Sequence, residues 1–377
     1  MSIMDKLKKN SKISSTDILA DSKFFSEKEM IPTSVPMINV ALSGSVDGGL
    51  APGLTVLAGP SKHFKSSFAL LMAGAYLKKY PDAIMLFYDS EFGSPQSYFE
   101  TFGIDVSRVL HTPVANVEEL KFDIMSQLEE IGRDDKVIVV IDSIGNLASK
   151  KEVEDALNEK SVADMSRAKA LKGLFRMVTP YLTMKNIPLL AINHTYKEIG
   201  LFPKDIVGGG TGIYYSADNI WILGRQQDKV GTEIKGYHFV INVEKSRYVK
   251  EKSRIPISVT WDGGVQEYSG LLDVAVAGGY VIKPSNGWYQ RDFSRRLEGT
   301  ATATAGDKSL AVSPSASSGD GSGGIESGKH REKETLTEAF WQPVFAQTDF
   351  KEFLKKQYSI GYQTVVDPER IVSVATS

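Results

Sequence analysis

From Leu54 onward the chain alternates short, unbroken apolar runs with longer amphipathic stretches. LTVLAG (54–59), AIMLFYDS (83–90), VIVVIDS (137–143) and PLLAINH (188–194) are short and rich in branched side chains. Runs of that kind predict strands buried on both faces. Between them, SSFALLMAGAYLKKY (66–80), VEELKFDIMSQLEEIGR (117–133) and SVADMSRAKALKGLFRMV (161–178) place apolar residues at helical spacing, and Pro81-Asp82 ends the first of them. The alternation requires crossover connections, hence an α/β fold: a mainly parallel sheet with helices on both faces. NIWILGR (219–225), YHFVINVEKSR (237–247) and IPISVTWDG (255–263) follow, spaced as an antiparallel extension.

The ends of the chain read differently. Residues 1–30 are polar and mildly helical, which predicts an N-terminal arm ahead of a core over 31–270. From Leu271 the pattern turns helical and loop-rich, predicting a small C-terminal α/β domain over 271–377. Within it, residues 298–329 are mostly Gly, Ser, Ala and Thr and cannot bury enough apolar surface to offset their ordering entropy. A disordered linker is expected there, with TLTEAFWQPVFAQTDFKEFLKKQY (335–358) packing back beyond it. No internal repeat is present.

Composition narrows the chemistry. The 377 residues contain no cysteine, which excludes disulfides, thiol nucleophiles and cysteine-ligated metals and suits a reducing compartment, the cytoplasm by default. MSIMDKLKKNSKISS lacks an apolar run behind its basic residues, and no uncharged apolar stretch is long enough to span a bilayer. Neither secretion nor a membrane location is expected. The net charge of -2 leaves nucleic-acid binding to local basic patches.

One loop carries specific chemistry. GPSKHFKSS (59–67) leaves a predicted strand and opens a predicted helix, the setting in which backbone N–H groups surround a phosphate. Gly59, Lys65 and Ser66 stand where a phosphate-binding loop needs them, while Phe64 replaces its second glycine. Lys65 would reach the β- and γ-phosphates and Ser66 would ligate Mg²⁺. Asp142, ending VIVVID, can hold the ion through water, and Glu91 follows AIMLFYDS at the same sheet edge. Together they describe a nucleotide hydrolase. The plainer reading, an exposed helix start and a strand-end aspartate, fits each feature alone but not their conjunction in this order.

YDSEFG, IDSIGNLASKKEVEDALNEK, AINHTY, VGGGTG, NVEKSR and SGLLD carry a resemblance to the RecA-type recombinases over nearly all of residues 23–290. Within that family the chain is most similar to the recombinases of T4-like phages, whose loop also has Phe before the lysine. The resemblance implies a RecA-like P-loop ATPase core using ATP and Mg²⁺, with Gly59, Pro60, Ser61, Lys62, His63, Phe64, Lys65, Ser66 and Ser67 as the nucleotide cradle. Phe64 then reads as a family variant, leaving open how the backbone does without glycine's freedom.

Roles follow position by position. Glu91 matches the glutamate that activates the attacking water. Tyr98 matches the aromatic that stacks on adenine, a core tyrosine being the alternative. His194 stands where most RecA proteins have a glutamine that senses the γ-phosphate, although a lone histidine is also common as a structural residue. Lys245 and Arg247 match the basic pair that reaches the neighbouring subunit's γ-phosphate, the alternative being a solvated strand end.

DNA is expected along two loops, about 149–162 and 195–214. Gly208, Gly209 and Gly210 would let backbone N–H groups approach phosphates, and Lys169 and Arg176 match basic residues lining the filament axis or form an ordinary charged helix face. Phe24-Phe25 in the polar arm are expected to dock on a neighbouring subunit or on their own core. The implied function is ATP-dependent pairing and strand exchange between single-stranded DNA and a homologous duplex, by a helical filament. A mediator protein and a single-strand-binding protein are implied partners. A ring-forming helicase or its loader, a non-hydrolysing single-strand binding module and a metabolic kinase are the alternatives. The segment 298–329 is longer than the family leads one to expect, and ERIVSVATS is not the acidic tail common there.

Overall fold

Each of the four apolar runs becomes a strand with every residue, or all but one, buried, because helices cover both faces of the sheet they build. A computed structural model describes residues 2–13, 15–22, 28–158, 166–198, 200, 203–230, 232–295 and 324–361. In chain order its elements begin with α1 (Ile3–Asn10), α2 (Pro36–Ser43), β1 (Gly53–Ala58), α3 (Lys65–Lys79), β2 (Ile84–Asp89) and α4 (Gln96–Thr101). Next come β3 (Val109–Pro113), α5 (Val117–Glu130), β4 (Val137–Asp142), α6 (Lys150–Leu157), α7 (Ser166–Met184) and β5 (Pro188–Asn193). There follow β6 (Thr195–Lys197), β7 (Asp205–Val207), α8 (Thr211–Ser216), β8 (Asn219–Val230), β9 (Glu233–Ser246), β10 (Arg254–Thr260) and β11 (Gly264–Val265). The last are α9 (Leu271–Gly278), β12 (Val281–Ser285), β13 (Trp288–Arg291), β14 (His330–Arg331), α10 (Glu338–Gln347) and α11 (Phe350–Tyr358).

The chain divides into two units, the first comprising Met1–Thr33, Gly49–Gly224 and Asn242–Arg247. Its strands run in the order β9-β8-β1-β5-β4-β2-β3, and those from β8 to β3 pair in parallel. Val137, Val139 and Ile141 of β4 face one way, into a core with Leu120 and Ile124 of α5 and Leu171, Leu174 and Phe175 of α7. The intervening Ile138 and Val140 face the other way, the side on which α3 packs with Phe68, Leu70 and Met72 buried. Register sets Asp89 beside Asp142 and Ala58 beside Asn193, so the ends of β2, β4, β1 and β5 share one edge. That edge is where the connections to the helices leave, and ligand sites of such sheets form there.

The second unit comprises Ser34–Gly48, Arg225–Ile241 and Tyr248–Ser377. This partition differs from the expected boundary at residue 270, since α2 and much of the antiparallel extension group with the C-terminal elements. The reason is local packing. Met37 to Ser43 of α2 are all buried, and a Cβ on Gly44, the left-handed cap of that helix, would come within 2.3 Å of Ser359 Oγ. Tyr280, Phe350 and Trp341 stack within this unit, and Tyr280 donates to Asp349 at 2.8 Å.

Three expectations change in detail. The expected linker 298–329 is ordered at its end: Ile325 bridges to Asp292, and Glu326 pairs with Arg291, whose Nε donates at 2.8 Å. Residues 296–323 and the Phe24-Phe25 pair lie outside the described residues. The first expected DNA loop begins as a helix, α6, because Ser149 and Glu152 form a reciprocal capping box. The second is a β-ribbon of β6 and β7 running into α8. No helix among the described residues is long and apolar enough to cross a membrane.

Candidate active site

β1 ends at Ala58 and α3 begins at Lys65, so the turn between them is made by residues 59–64. To turn that sharply, Lys62 and Phe64 both take left-handed backbone conformations, with φ of 59° and 63°. Phe64 thus adopts the conformation for which glycine is usually required, and its ring sits edge-on against the buried Phe68, with centroids 5.5 Å apart. Gly59 lies where a Cβ would come within 3.1 Å of the Leu223 carbonyl. His63 Nδ1 donates to the Ser61 carbonyl at 2.9 Å, bracing the loop from within. Lys65 Nζ donates to the Pro60 carbonyl at 2.8 Å, so the ammonium folds back over the loop. Burial pulls the Lys65 ammonium below its ordinary pKa, opposed by the charges of Glu91 and Asp142.

Ser66 Oγ donates to Asp142 Oδ2 at 2.6 Å, while Asp142 Oδ1 is buried without a hydrogen-bond partner. Burial pushes the Asp142 carboxyl up to about 6; the Ser66 hydrogen bond opposes this, and the nearby charges of Glu91 and Asp89 add to it. An orphaned buried carboxylate oxygen beside a serine hydroxyl fits a hard divalent cation such as Mg²⁺. Such an ion takes its other oxygens from phosphates and water, so the lack of a three-residue ligand cluster among the described residues is no obstacle. Tyr98 reaches the same loop, its hydroxyl hydrogen-bonded to that of Ser67 and its pKa raised by burial.

Glu91 lies past the end of β2, and its Oε1 accepts three hydrogen bonds. Ser143 Oγ donates at 2.6 Å, Asn146 Nδ2 at 3.0 Å and His194 Nε2 at 3.2 Å. Lys65, Ser66, Asp142, Glu91 and His194 all lie at one sheet edge. Ser143 and Asn146 were not foreseen; within IDSIGN nothing marks them until the β4 and β2 ends are side by side.

The other expected residues are more dispersed. Lys245 Nζ donates to the Tyr214 carbonyl at 2.6 Å, and Arg247 is hydrogen-bonded to Asp218 through Nε, so each engages its own chain. Asp218 Oδ2 also accepts the Leu54 N–H at 2.9 Å, which anchors that carboxylate. Lys169 and Arg176 are exposed on α7. Gly209 and Gly210 have φ of 90° and 77°, and a Cβ on Gly209 would come within 2.6 Å of Ile213. The Gly208 N–H already donates to the His194 carbonyl at 2.9 Å, so it is committed within the chain.

The family described as RecA N-terminal domain matches residues 2–266, and the family described as Bacteriophage T4, Recombination and repair protein, C-terminal domain, matches residues 268–310. The recombination and repair protein of Enterobacteria phage T4 is 50% identical over 354 residues, covering 94% of this chain and 84% of that protein. Protein RecA of Chloroherpeton thalassium is 25% identical over 281 residues, covering 71% of this chain and 76% of that protein. The crystal structure of the RadB recombinase aligns with a TM-score of 0.46 at 20% identity, covering 63% of this chain and 98% of that one. With a phosphate-binding loop, two carboxylates and a histidine gathered at one sheet edge, and with matches of this extent, the chain belongs to the RecA family of DNA recombinases.

Proposed function

We propose that the protein binds ATP with Mg²⁺, assembles as a helical filament on single-stranded DNA, pairs that strand with a homologous duplex, and hydrolyses ATP to release the product. The observation that carries this reading is the convergence of Lys65, the Ser66–Asp142 pair and the Glu91–His194 pair at the shared ends of β1, β4, β2 and β5. Glu91 receives the proton of the attacking water as that water adds to the γ-phosphate. Lys65 and the loop N–H groups orient the phosphates, and Tyr98 covers the adenine. Ser66, and Asp142 through water, would hold Mg²⁺, which would supply charge neutralisation at the phosphate oxygens. Lys245 and Arg247 act on the nucleotide of a neighbouring subunit, which ties turnover to assembly.

On the DNA side, Lys169, Arg176 and the 208–210 turn contact backbone phosphates, so binding is largely sequence-independent and weakens with salt. Homology is read by base pairing between strands. Loading onto DNA already covered by a single-strand-binding protein would call on a mediator, a part of the reading that rests on family resemblance. Steady-state ATP hydrolysis with and without single-stranded DNA tests the whole. DNA should raise the rate many-fold, and Glu91→Ala should abolish it while still binding DNA. Hydrolysis that is absent or indifferent to DNA overturns the reading in favour of a passive single-strand binder.

A further inference from the structure

Asp89 ends β2 and is 4% exposed, and its two carboxylate oxygens face different tasks. Oδ1 accepts the backbone N–H groups of Glu91 at 3.0 Å and Phe92 at 2.8 Å. Phe92 takes a left-handed φ of 55°, a conformation that a bulky aromatic residue avoids unless something holds it. Oδ2 faces His111 Nε2 at 3.3 Å. His111 lies on β3, the end strand of the sheet, with its ring stacked on Phe87 at 5.7 Å. It lines a cavity of about 380 Å³ with Phe87, Phe92, Phe99 and Val106.

The side chain of Glu91 is engaged separately, by Ser143, Asn146 and His194. Its backbone therefore depends on Asp89 for its position, and the carboxylate of Asp89 depends on His111. We propose that Asp89 is a positioning residue for Glu91 in ATP hydrolysis, with His111 as the residue that orients Asp89; this rests on the assignment of Glu91 as the group that activates water. Without Asp89, the 91–92 segment has no acceptor for two adjacent N–H groups and no reason to keep the left-handed turn. The Glu91 carboxylate then drifts from the position set by β2, and loss of alignment by about 1 Å can cost on the order of a hundredfold in rate.

The experiment is steady-state ATP hydrolysis on single-stranded DNA, with thermal unfolding measured alongside, for Asp89→Ala, Asp89→Asn, His111→Ala and Glu91→Gln. Asp89→Ala should lower kcat at least tenfold, by about the magnitude expected from misalignment, with KM for ATP little changed and the protein still folded at the assay temperature. Asp89→Asn keeps an oxygen for the two N–H groups and should recover most of that loss. His111→Ala should lower kcat in the same direction by a smaller factor. If Glu91→Gln keeps the wild-type kcat, the assignment of Glu91 fails and the proposal fails with it. If Glu91→Gln is inactive while Asp89→Ala keeps kcat, or loses KM and stability in proportion to kcat, the proposal alone is overturned. Should Asp89→Ala not fold, His111→Ala decides, since β3 is an exposed edge strand that tolerates truncation, and an unchanged kcat there overturns the proposal.

Discussion

His194 lies between Glu91 and Gly208: its Nε2 is 3.2 Å from Glu91 Oε1, and its backbone carbonyl accepts the Gly208 N–H at 2.9 Å. Since a carboxylate only accepts, the Nε2 nitrogen carries the proton in this arrangement. Asn193 extends the link, donating from Nδ2 to the Gly208 carbonyl at 2.8 Å. One residue thus joins the carboxylate at the nucleotide site to the turn expected to meet DNA.

Breaking that link should separate hydrolysis from DNA. His194→Ala is expected to retain slow ATP turnover but lose most of its stimulation by single-stranded DNA, whereas His194→Gln, which keeps a donor, should retain it. Rates measured with and without DNA decide the matter; equal stimulation in both variants would falsify the coupling.

Asn146 contributes a donor to the Glu91 carboxylate that no motif announces. A hydrogen bond of this kind contributes about 1 kcal/mol, so Asn146→Ala should reduce kcat by roughly a factor of five. KM for ATP should stay constant, because the side-chain hydrogen bond of Asn146 goes to Glu91. A rise in KM with kcat intact would show that Asn146 acts in binding instead.

Phe64 poses a backbone question that stability measurements can answer. A left-handed conformation costs a non-glycine residue about 1–2 kcal/mol, and the ring pair with Phe68 offsets about 0.5–1.5 kcal/mol of it. Phe64→Ala should lose the ring contact and keep the strain, while Phe64→Gly loses both. Urea unfolding should therefore rank Phe64→Gly above Phe64→Ala by about 1 kcal/mol. The reverse ranking would mean that the loop relaxes around alanine.

Lys245 and Arg247 each bind their own chain here, so action on a neighbour's nucleotide requires them to let go of Tyr214 and Asp218. Mixing Glu91→Ala with Arg247→Ala protein should restore part of the wild-type ATPase, because some interfaces then combine an intact Glu91 with an intact Arg247. No recovery at any mixing ratio would argue that Arg247 acts within its own subunit.

In the C-terminal unit, burial raises the Glu326 carboxyl, but the Arg291 hydrogen bonds and charge, with His330 beside them, outweigh this and leave it below the usual glutamate range. A depressed folded-state pKa adds stability above the unfolded value of 4.5, lost as pH falls through the folded value. Glu326→Gln should cost about 1–3 kcal/mol at neutral pH and flatten the loss of stability on the acid side. Unfolding at pH 3 to 7 measures both, on the scale of about 1.4 kcal/mol per unit of pKa shift; an unchanged acid limb removes Glu326 from the account.

The parallel sheet and the phosphate loop were legible because their signals are local. A buried strand must be apolar along its whole length, as VIVVID is, and a loop that wraps phosphate must carry its lysine and serine at the helix start. The edge strand β3 escaped notice because Val109–Pro113 is half-exposed and carries His111 and Thr112 among its five residues. The linker's ordered end escaped because Glu326 finds Arg291 only across 35 residues of chain.

By itself the sequence determined the alternation of strands and helices, the nucleotide loop and the positions of Lys65, Ser66, Glu91 and Asp142, since each is encoded by residue type and near-neighbour spacing. Tertiary structure alone decided that Asn146 and Ser143 would share Glu91 with His194, that α2 would group with the C-terminal elements, and that Asp89 would hold the turn after β2. The sharing of Glu91 depends on the register of parallel strands whose partners are dozens of residues apart, the grouping of α2 on long-range packing, and the setting of Asp89 on His111 of the neighbouring strand β3; hydrophobic periodicity carries no record of which element lies beside which.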